Sequence, residues 1–521
     1  MRKIEIFDST LRDGSQGEGI SFSVQDKLNI VKKLDEFGVT YIEAGNPGSN
    51  PKDLNFFEAL RGVTLKRAKI CAFGSTARSN IPVEEDANII SLLSAQTPCV
   101  SVFGKSWDLH VTEILKIPLE ENLRIVSETL AYLKSKGKEV IFDAEHFFDG
   151  YKANPDYAFR VLQAAVSGGA EVLCLCDTNG GCLPDFIGTV TAEVCKTFPQ
   201  VRVGIHCHDD IGCAAANSVA AVLNGAVQVQ GTFIGFGERC GNADLSTIMP
   251  TLAFKCGLSL SVDFANLKQT ARTVGEISNV RIHRNHPYIG KSAFAHKGGM
   301  HIDGVQKLSA SFEHIDPALV GNERKFLLSE VSGRGTVLPR IQKFLPSLTK
   351  QSPETGMITE ELKKQEYNGY QYEGADASFE LFVKKQLGLW TPHFNVIMYK
   401  VIDDFPAPDG EQQSNAMVKI EVGGKTELTC GSGNGPVNAL DSALRTAIGM
   451  FYPEISDMHL LDYKVRVIDT GKATDAKTRV LIESADMDSS FTTIGVSTDI
   501  IEASFMALMD SFEYKLSKKE L

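Results

Sequence analysis

Two separated motifs contain residues that together could bind a metal ion. The first, DSTLRDGSQGE, spans Asp8 to Glu18, and the second, HCHDD, spans His206 to Asp210. If HCHDD lies on a strand, His206 and His208 point to the same face, so both imidazoles can reach one ion. Asp13 would add a hard oxygen ligand. This donor set, with open positions left, suits an octahedral Mn²⁺, Mg²⁺, Co²⁺ or Zn²⁺ ion that also chelates a substrate.

A third motif, GFGERCGNAD, spans Gly235 to Asp244. Its glycine spacing is not that of a dinucleotide-binding fingerprint. The glycines could let the backbone approach a phosphate or a thioester, or they could simply form a tight loop. Within the motif, Asn242 is a candidate metal or water ligand and Glu238 a candidate site carboxylate. Alone, an H-x-H pair is more often a hydrogen-bonded structural pair than a pair of metal ligands. The presence of the DSTLRDGSQGE motif is what favours a metal site.

The first half of the chain repeats a pattern of strands and helices that can position these motifs. Ser23 with Asp26 is typical of a capping box, and Pro155 and Pro184 indicate further helix starts. Eight strands alternating with helices over about 250 residues predict a (β/α)₈ barrel. The eight apolar, β-branched runs lie near residues 3–7, 39–43, 68–73, 98–103, 139–143, 171–176, 201–206 and 227–233.

Polar residues follow seven of these eight runs, which favours the barrel over a doubly wound open sheet. A barrel brings the carboxyl ends of all its strands to one mouth, whereas an open sheet could not bring the first and eighth strands together. In strand order, the residues are Asp8 to Asp13, Glu43, His110, Asp143 and Glu145, Asp177 and Thr178, His206 and His208, and finally Asn242 beyond the eighth strand.

The rest of the chain predicts two further domains. We expect the barrel over residues 1–265, helical linker subdomains over 266–390, with a polar stretch from 346 to 390 of linker or small helices, and a terminal domain over 391–521. The terminal domain contains an internal repeat, in which three strand-like runs precede a helix at Pro436 and three more precede a helix from Thr498. Two successive βββα units predict a compact α+β domain.

Composition excludes several classes of function. A net charge of −12 argues against nucleic acid as the partner, because phosphate binding needs a concentrated basic surface. We find no apolar run long enough for a transmembrane helix and no signal peptide. The 11 cysteines lie mostly in apolar runs, which suits reduced thiols in a cytoplasmic enzyme. The spacing of Cys174, Cys176 and Cys182 fits no standard zinc site.

These motifs together resemble the isopropylmalate, homocitrate and citramalate synthase family, and the resemblance covers essentially the whole chain. Two segments, EAGNPGSNPKD (43–53) and FDAEHFFDGYKANP (142–155), look most like its citramalate synthase branch. Beyond the three motifs above, the resemblance rests on HKGGMHIDG (296–304), LSEVSGRG (328–335), GSGNGPVNALDSAL (431–444) and TDAKTRVLIES (474–484).

The resemblance implies roles for individual residues. Asp13, His206 and His208 would bind a divalent metal, with Asn242 nearby or completing the set. Arg12 would contact a 2-oxo acid beside the metal, although it could instead be only a buried partner of Asp8 or Glu43. Further substrate contacts are expected from His110, Asp143, Glu145, Thr178 and Glu238. His301 matches a catalytic histidine that comes from the neighbouring subunit in relatives, which implies a homodimer; the catalytic base is His301 or Glu145.

The expected reaction is condensation of acetyl-CoA with a 2-oxo acid and hydrolysis of the thioester. The branch favours pyruvate, giving citramalate for isoleucine biosynthesis. Synthesis of 2-isopropylmalate or homocitrate, aldolase or lyase chemistry on the same barrel, and a non-catalytic amino-acid sensor are the alternatives. The terminal domain would bind isoleucine or leucine as an effector, or serve only for dimerisation.

Overall fold

The computed structural model describes residues 2–49, 51–327, 334–403, 414–468, 476–487 and 489–518. The chain divides into two compact units, Met1–Phe294 with Glu313–Arg324, and Ala295–Phe312 with Lys325–Leu521. Most of the motif at 328–335, and the first two residues of the motif at 474–484, lie outside the described residues. The three-domain division with boundaries at residues 265 and 390 stays a prediction.

The first unit is built on a closed barrel of eight parallel strands in chain order, so the predicted barrel is confirmed and the open sheet is excluded. Strand β1 pairs with β8 as well as with β2, and this pairing closes the sheet. The strands are β1 Glu5–Asp8, β2 Tyr41–Glu43, β3 Lys69–Ser75, β4 Cys99–Lys105, β5 Glu139–Glu145, β6 Val172–Asp177, β7 Arg202–Cys207 and β8 Gln228–Gly231.

Three helices of this unit begin where the sequence predicts, at Ser23, Pro155 and Pro184. The Ser23 side chain accepts a hydrogen bond from the Asp26 amide while Asp26 accepts from the Ser23 amide, which completes the capping box. Asn154 caps the helix that starts at Pro155. The helices are α1 Val24–Phe37, α2 Pro51–Leu60, α3 Ala87–Ser94, α4 Leu119–Ser135, α5 Phe147–Ala153, α6 Pro155–Ser167, α7 Pro184–Thr197, α8 Ala214–Leu223, α9 Leu245–Phe254 and α10 Leu267–Ser278.

Two apolar clusters pack against the strands of the barrel, one outside and one inside. The larger core lies between the strands and the surrounding helices, and it buries side chains such as Val31 and Leu34 of α1 completely. A smaller cluster inside the barrel includes Phe7, Tyr41 and Cys174. Each fully buried large apolar side chain contributes roughly 1.5–3 kcal/mol. Because all strands run in parallel, their carboxyl ends meet at one mouth.

The second unit contains the two predicted βββα repeats, each an antiparallel three-stranded sheet followed by a helix. They comprise β11 Asn395–Asp403, β12 Ser414–Val422, β13 Lys425–Gly433 and α15 Pro436–Gly449, then β14 His459–Val467, β15 Thr478–Ala485, β16 Ser490–Ser497 and α16 Ile500–Ser517. They are preceded by β9 Ala295–His296, α11 Gly299–Lys307, β10 Lys325–Phe326, α12 Arg334–Ile341, α13 Pro353–Tyr367 and α14 Asp376–Gln386.

The polar stretch from 346 to 390 is more ordered than a linker. Helix α13 buries Ile358 and Leu362, and α14 buries Phe379, in one apolar cluster. The abundant charges lie on the outer faces of these helices and hide the apolar faces in the overall composition. Within the part of the chain that the structure describes, no helix is both long enough and apolar enough to cross a membrane.

Candidate metal and active site

Asp13, His206 and His208 meet at the mouth of the barrel, as predicted. The Nε2 atoms of His206 and His208 lie 3.3 Å apart, and Asp13 Oδ2 lies 3.4 Å from the first and 4.0 Å from the second. All three side chains are buried, with exposures of 2%, 5% and 5%. The two histidines alternate with Cys207 at the end of β7, so both rings project to the same side of the strand. Three ligand atoms within 4.8 Å of one another can hold one ion.

The charges of this cluster favour one protonated imidazole rather than two. Burial opposes ionisation of Asp13, but Arg12 and both histidines outweigh it, so the pKa of Asp13 lies below its ordinary value. Burial also opposes a charge on His206, yet the hydrogen bond that its ring donates to Asp13 raises its pKa. Burial and the neighbouring His206 lower the pKa of His208 to about 3. A divalent cation would replace the single proton that Asp13 attracts to this pair.

The polar atoms around the cluster fit a divalent cation. Among the described residues, neither Asp13 Oδ1 nor the side-chain amide atoms of Asn242 have a hydrogen-bond partner, although all are buried. Unsatisfied buried polar atoms are rare because each costs desolvation free energy. Asn242 forms an isolated backbone bridge with His208, which holds it beside the histidine pair. Carboxylate, amide and imidazole donors of this kind suit Mg²⁺, Mn²⁺, Co²⁺ or Zn²⁺.

Arg12 is fixed beside the metal cluster by three contacts. Its Nε donates to Glu43 Oε2 at 2.7 Å, its Nη1 donates to Asp13 Oδ2 at 2.9 Å, and its guanidinium lies 3.8 Å above the Phe73 ring. Ser9 also donates to Glu43, at 2.5 Å. Arg12 is therefore a partner of Glu43 and a neighbour of Asp13 at the same time. It also lines a cavity of about 350 Å³ whose lining includes Lys27 and Lys52.

A second group of polar residues forms at the ends of β4, β5 and β6. Lys105 and Glu145 are in register on β4 and β5 and form an ion pair. The His110 ring packs edge-on against His146 at 4.4 Å, and His110 Nδ1 is buried without a hydrogen-bond partner among the described residues. The amide of His146 donates to Thr178 Oγ1 at 2.9 Å. Glu145, His110 and Thr178 are therefore on the same side of the mouth, and their role in substrate binding stays a prediction.

Three predicted site residues have other surroundings. Asp143 is buried within the barrel, where it accepts hydrogen bonds from Ser101 and Gln230. Glu238 is exposed on the loop after β8, 3.5 Å from Arg239. His301 is exposed on α11 of the second unit, where its ring stacks on Phe312 at 4.4 Å. Their roles in substrate binding and catalysis stay predictions.

Another possible ligand group, Asp143, Cys174 and Cys176, lies inside the barrel. Both oxygens of Asp143 already accept hydrogen bonds, and burial raises the pKa of the Cys174 thiol well above its ordinary value. Metals bind the thiolate form of cysteine, so a thiol that stays protonated is a poor ligand. Cys182 is not part of this group.

Several residues at the mouth escaped prediction. Gln230 donates a hydrogen bond to Asp143 and lies within hydrogen-bond distance of His206, and both of these partners were predicted. Arg239 bridges Asp210 and the Thr178 carbonyl, and Lys105 pairs with Glu145. The sequence signal for Gln230 and Lys105 is only their position at a strand end, and that for Arg239 is its place in the GFGERCGNAD motif. Their partners come from other strands, so the pairings were not readable from local pattern.

Comparison with known proteins agrees with this architecture. The HMGL-like family model matches residues 3–274, the homocitrate synthase post-HMGL domain-like model matches 288–368, and the LeuA allosteric (dimerisation) domain model matches 373–516. The three matches follow the barrel, the helical region and the βββα repeats in chain order.

Curated relatives match over the whole chain. The (R)-citramalate synthase of Aquifex aeolicus is 49% identical over 99% of this chain and 98% of its own, and that of Geobacter sulfurreducens is 48% identical over 100% and 99%. A probable 2-isopropylmalate synthase of Methanopyrus kandleri is 32% identical over 97% of both chains. With a buried Asp13–His206–His208 cluster at the mouth of an HMGL-like barrel and matches of this extent, the chain belongs to the (R)-citramalate synthase family.

Proposed function

We propose that this chain is an acyltransferase that condenses acetyl-CoA with pyruvate, hydrolyses the thioester, and releases (R)-citramalate and CoA for isoleucine biosynthesis. The observation that carries the proposal is the buried cluster of Asp13, His206 and His208 with Arg12 beside it. Such a cluster suits the activation of a 2-oxo acid. Full-length identity to (R)-citramalate synthases supports pyruvate as the acceptor.

The metal would be held by Asp13, His206 and His208, with Asn242 as a further ligand. When bound, a divalent cation supplies Lewis acidity toward the carboxylate and carbonyl oxygens of the 2-oxo acid. Chelation followed by addition of Mn²⁺, Mg²⁺, Co²⁺ or Zn²⁺ identifies the ion that restores activity. His206→Ala should abolish both metal binding and turnover; an active variant without metal would contradict the assignment.

The reaction needs two proton transfers and one hydrolysis. A base removes a proton from the acetyl methyl group, and the carbon nucleophile attacks the carbonyl carbon of pyruvate, whose oxygen then takes up a proton. Arg12 places fixed positive charge where negative charge develops on that oxygen, in a site shielded from water. Water then attacks the thioester carbon, and CoA leaves as its thiol.

Glu145 and His301 both remain candidates for the base. Glu145 is at the mouth and is paired with Lys105, so a carboxylate is available there. His301 would come from a neighbouring subunit, as in relatives. Solvent deuterium exchange into the acetyl methyl group separates them: Glu145→Gln should slow exchange by about 10²-fold or more if Glu145 is the base. Normal exchange in that variant, with loss in His301→Ala, would assign the role to His301.

The aromatic residues beside Arg12 support the proposal that the substrate is a small 2-oxo acid. Phe73 lies under the guanidinium, and Phe103 stacks on Phe73 at 5.2 Å. Bulky rings there favour the methyl group of pyruvate over a branched chain, although a hydrophobic wall discriminates by only about 1–3 kcal/mol per methylene. We propose that His110, Thr178, Asp143 and Glu238 provide further substrate contacts.

A free-thiol release assay with a panel of 2-oxo acids tests the substrate. We expect pyruvate to give the highest kcat/KM and chelator to abolish release. Faster turnover with 2-oxoisovalerate would favour a 2-isopropylmalate synthase, and faster turnover with 2-oxoglutarate a homocitrate synthase. CoA-ester cleavage without condensation would favour a lyase, for which the terminal dimerisation domain would be unexpected.

We also propose that the chain forms a homodimer through its terminal domain and binds isoleucine or leucine there. The match to a LeuA allosteric (dimerisation) domain supports association. The sheet β11–β13 carries exposed Met398, Ile402 and Leu428 on the face away from α15, beside Lys400 and Lys419, and exposed large apolar side chains suit a surface that a second copy covers. Leu428→Glu should lower the mass measured by light scattering from that of a dimer toward that of a monomer. Titration calorimetry with isoleucine and with leucine tests effector binding. Absence of binding heat with both amino acids would favour a domain that serves only for dimerisation.

A cytoplasmic location is part of the proposal. All eleven cysteines are described, and none is paired in a disulfide. Free thiols in this number suit a reducing compartment. The acidic net charge gives no support for nucleic acid as a partner.

A further inference from the structure

A line of buried hydrogen bonds leads from the barrel interior to His206. Ser101 Oγ donates to Asp143 Oδ2 at 2.5 Å, and Gln230 Nε2 donates to Asp143 Oδ1 at 3.0 Å. Gln230 Oε1 then lies 3.2 Å from Nδ1 of His206. Ser101 and Gln230 are fully buried, and Asp143 and His206 nearly so. These residues come from four strands, β4, β5, β8 and β7, so the line runs across the barrel.

The direction of each hydrogen bond follows from the chemistry of the side chains. A carboxylate only accepts, so Asp143 draws the amide nitrogen of Gln230 toward itself. The amide oxygen of Gln230 must then face His206, and an oxygen can pair with Nδ1 only if Nδ1 carries the hydrogen. In the neutral ring the lone pair is then on Nε2. Nε2 is the atom 3.4 Å from Asp13 and 3.3 Å from His208, so the free lone pair points into the metal cluster.

The reverse orientation of Gln230 would be unfavourable at the Asp143 end, because the amide oxygen would then face the carboxylate. The contact with Asp143 therefore selects the amide orientation, and the amide orientation selects the tautomer of His206. Strand register adds a second constraint, because Gln230 is directly opposite His206 in the β7–β8 pairing.

We infer that Gln230, held by Asp143 and Ser101, is a positioning residue that fixes the tautomer and ring orientation of His206 for metal binding. Partners behind a metal-binding histidine commonly set its tautomer, and their loss typically costs about 10–100-fold in metal affinity. The inference rests on the proposed metal role of His206. It also gives Asp143 a task within the barrel, as the group that orients Gln230.

Gln228 provides a matched control on the same strand. It is two residues before Gln230, so it projects to the same interior face, and it is equally buried. Its Nε2 donates to Glu5 Oε2 at 3.4 Å, and in the register it is opposite Gly204 rather than His206. A general effect of replacing a buried glutamine in β8 would therefore affect both positions, whereas an effect through His206 would affect only Gln230.

The test measures Mn²⁺ affinity of the metal-stripped full-length chain by titration calorimetry. Gln230→Met should weaken binding about 10–100-fold, and Gln228→Met should change it less than about threefold. His206→Ala should remove binding. Thermal unfolding of each stripped variant reports whether a loss of affinity comes from misfolding. Affinity of Gln230→Met equal to the native chain, or an equal loss in Gln228→Met, would overturn the inference.

A paired substitution keeps the test independent of how well Gln230→Met folds. Gln230→Glu alone places two carboxylates together and should weaken binding. Gln230→Glu with Asp143→Asn reverses the direction of the middle hydrogen bond, keeps an acceptor opposite Nδ1 and leaves the net charge unchanged. The double variant should recover affinity to within about fivefold of the native chain, and its Co²⁺ absorption spectrum should match the native spectrum. A double variant no better than Gln230→Glu would overturn the inference.

The His206→Ala result separates this inference from the proposed function. If His206→Ala binds Mn²⁺ normally, both the proposed metal site and the positioning role fail. If His206→Ala loses binding while Gln230→Met keeps it, the metal site stands and only the positioning role fails.

Discussion

Metal binding should displace one proton, and its pH dependence should show this directly. Asp13 holds its negative charge because Arg12 and the histidines outweigh its burial, so it carries no proton to displace. The pKa of His206 is raised above 6.5, whereas that of His208 is lowered to about 3. Burial is the largest cause of the low pKa of His208, and the 3.3 Å separation of the two Nε2 atoms adds to it, because a second positive charge so close to the first is strongly disfavoured.

The sign and size of the effect follow from competition between proton and cation. Above the pKa of His206 the ring is neutral and affinity is independent of pH. Below it, each pH unit lowers affinity tenfold, or about 1.4 kcal/mol per proton. Over 1.5 pH units below that pKa, one proton predicts a loss of about 30-fold, and two protons would predict about 1000-fold.

The assay is titration calorimetry of the metal-stripped chain with Mn²⁺ between pH 5 and 8. Two buffers with different ionisation enthalpies at each pH give the number of protons released. We expect release to rise toward one proton and to stop there. Release approaching two protons at pH 5, or affinity that does not change with pH, would refute the account of the histidine pair.

Three further predictions follow from packing and charge. Gly237→Ala should weaken Mn²⁺ binding, because a Cβ there would collide with the Asn242 side chain. Gly181→Ala should leave Mn²⁺ affinity unchanged, because nothing lies within 4 Å of the added Cβ. Equal affinities of the two variants would argue against Asn242 as a ligand. Lys27→Met should lower the thermal unfolding midpoint far more than Lys33→Met. Lys27 pairs with buried Asp53 at 2.6 Å, and breaking such a pair costs roughly 3–5 kcal/mol of stability, whereas Lys33 lies 3.9 Å from exposed Glu36, a pair that contributes about 0–1 kcal/mol. Similar midpoints for the two variants would contradict a stabilising buried pair. Burial raises the pKa of Asp8 from 3.8 to about 7, so its contribution to stability is present below pH 3.8 and lost as pH rises through 7. The free energy of unfolding of Asp8→Asn should therefore rise relative to that of the native chain by about 2–3 kcal/mol between pH 5 and pH 8, and a difference that does not change with pH would refute the shift.

Local patterns were sufficient for the elements that carry the metal ligands. The spacing of His206 and His208 on a strand places both rings on one face whatever the fold. The alternation of eight apolar runs with amphipathic stretches then predicted the barrel, and the barrel predicted that Asp13 would join the histidines. Capping residues such as Ser23 and Asn154 marked helix starts because a cap acts within one turn.

Composition left the region from 346 to 390 open between a linker and small helices, and the structure shows helices, for a physical reason. Helices α13 and α14 carry many charges, and these are exposed on the faces away from the cluster around Phe379. The charged residues raise the average polarity of both segments, so composition suggested a linker as readily as helices. What decides their order is the surface on which they pack, which a local window does not contain.

The sequence by itself determined the barrel, the two βββα repeats and the residues that converge as candidate metal ligands, because each of these depends on periodicity or on strand ends. Only the tertiary structure decided the partners of those residues. Lys105 meets Glu145, Arg12 meets Glu43, and Gln230 meets His206 through strand register and barrel closure. Register depends on how distant segments pair, and a one-residue shift would turn each side chain to the opposite face. No local pattern of residue types encodes that choice.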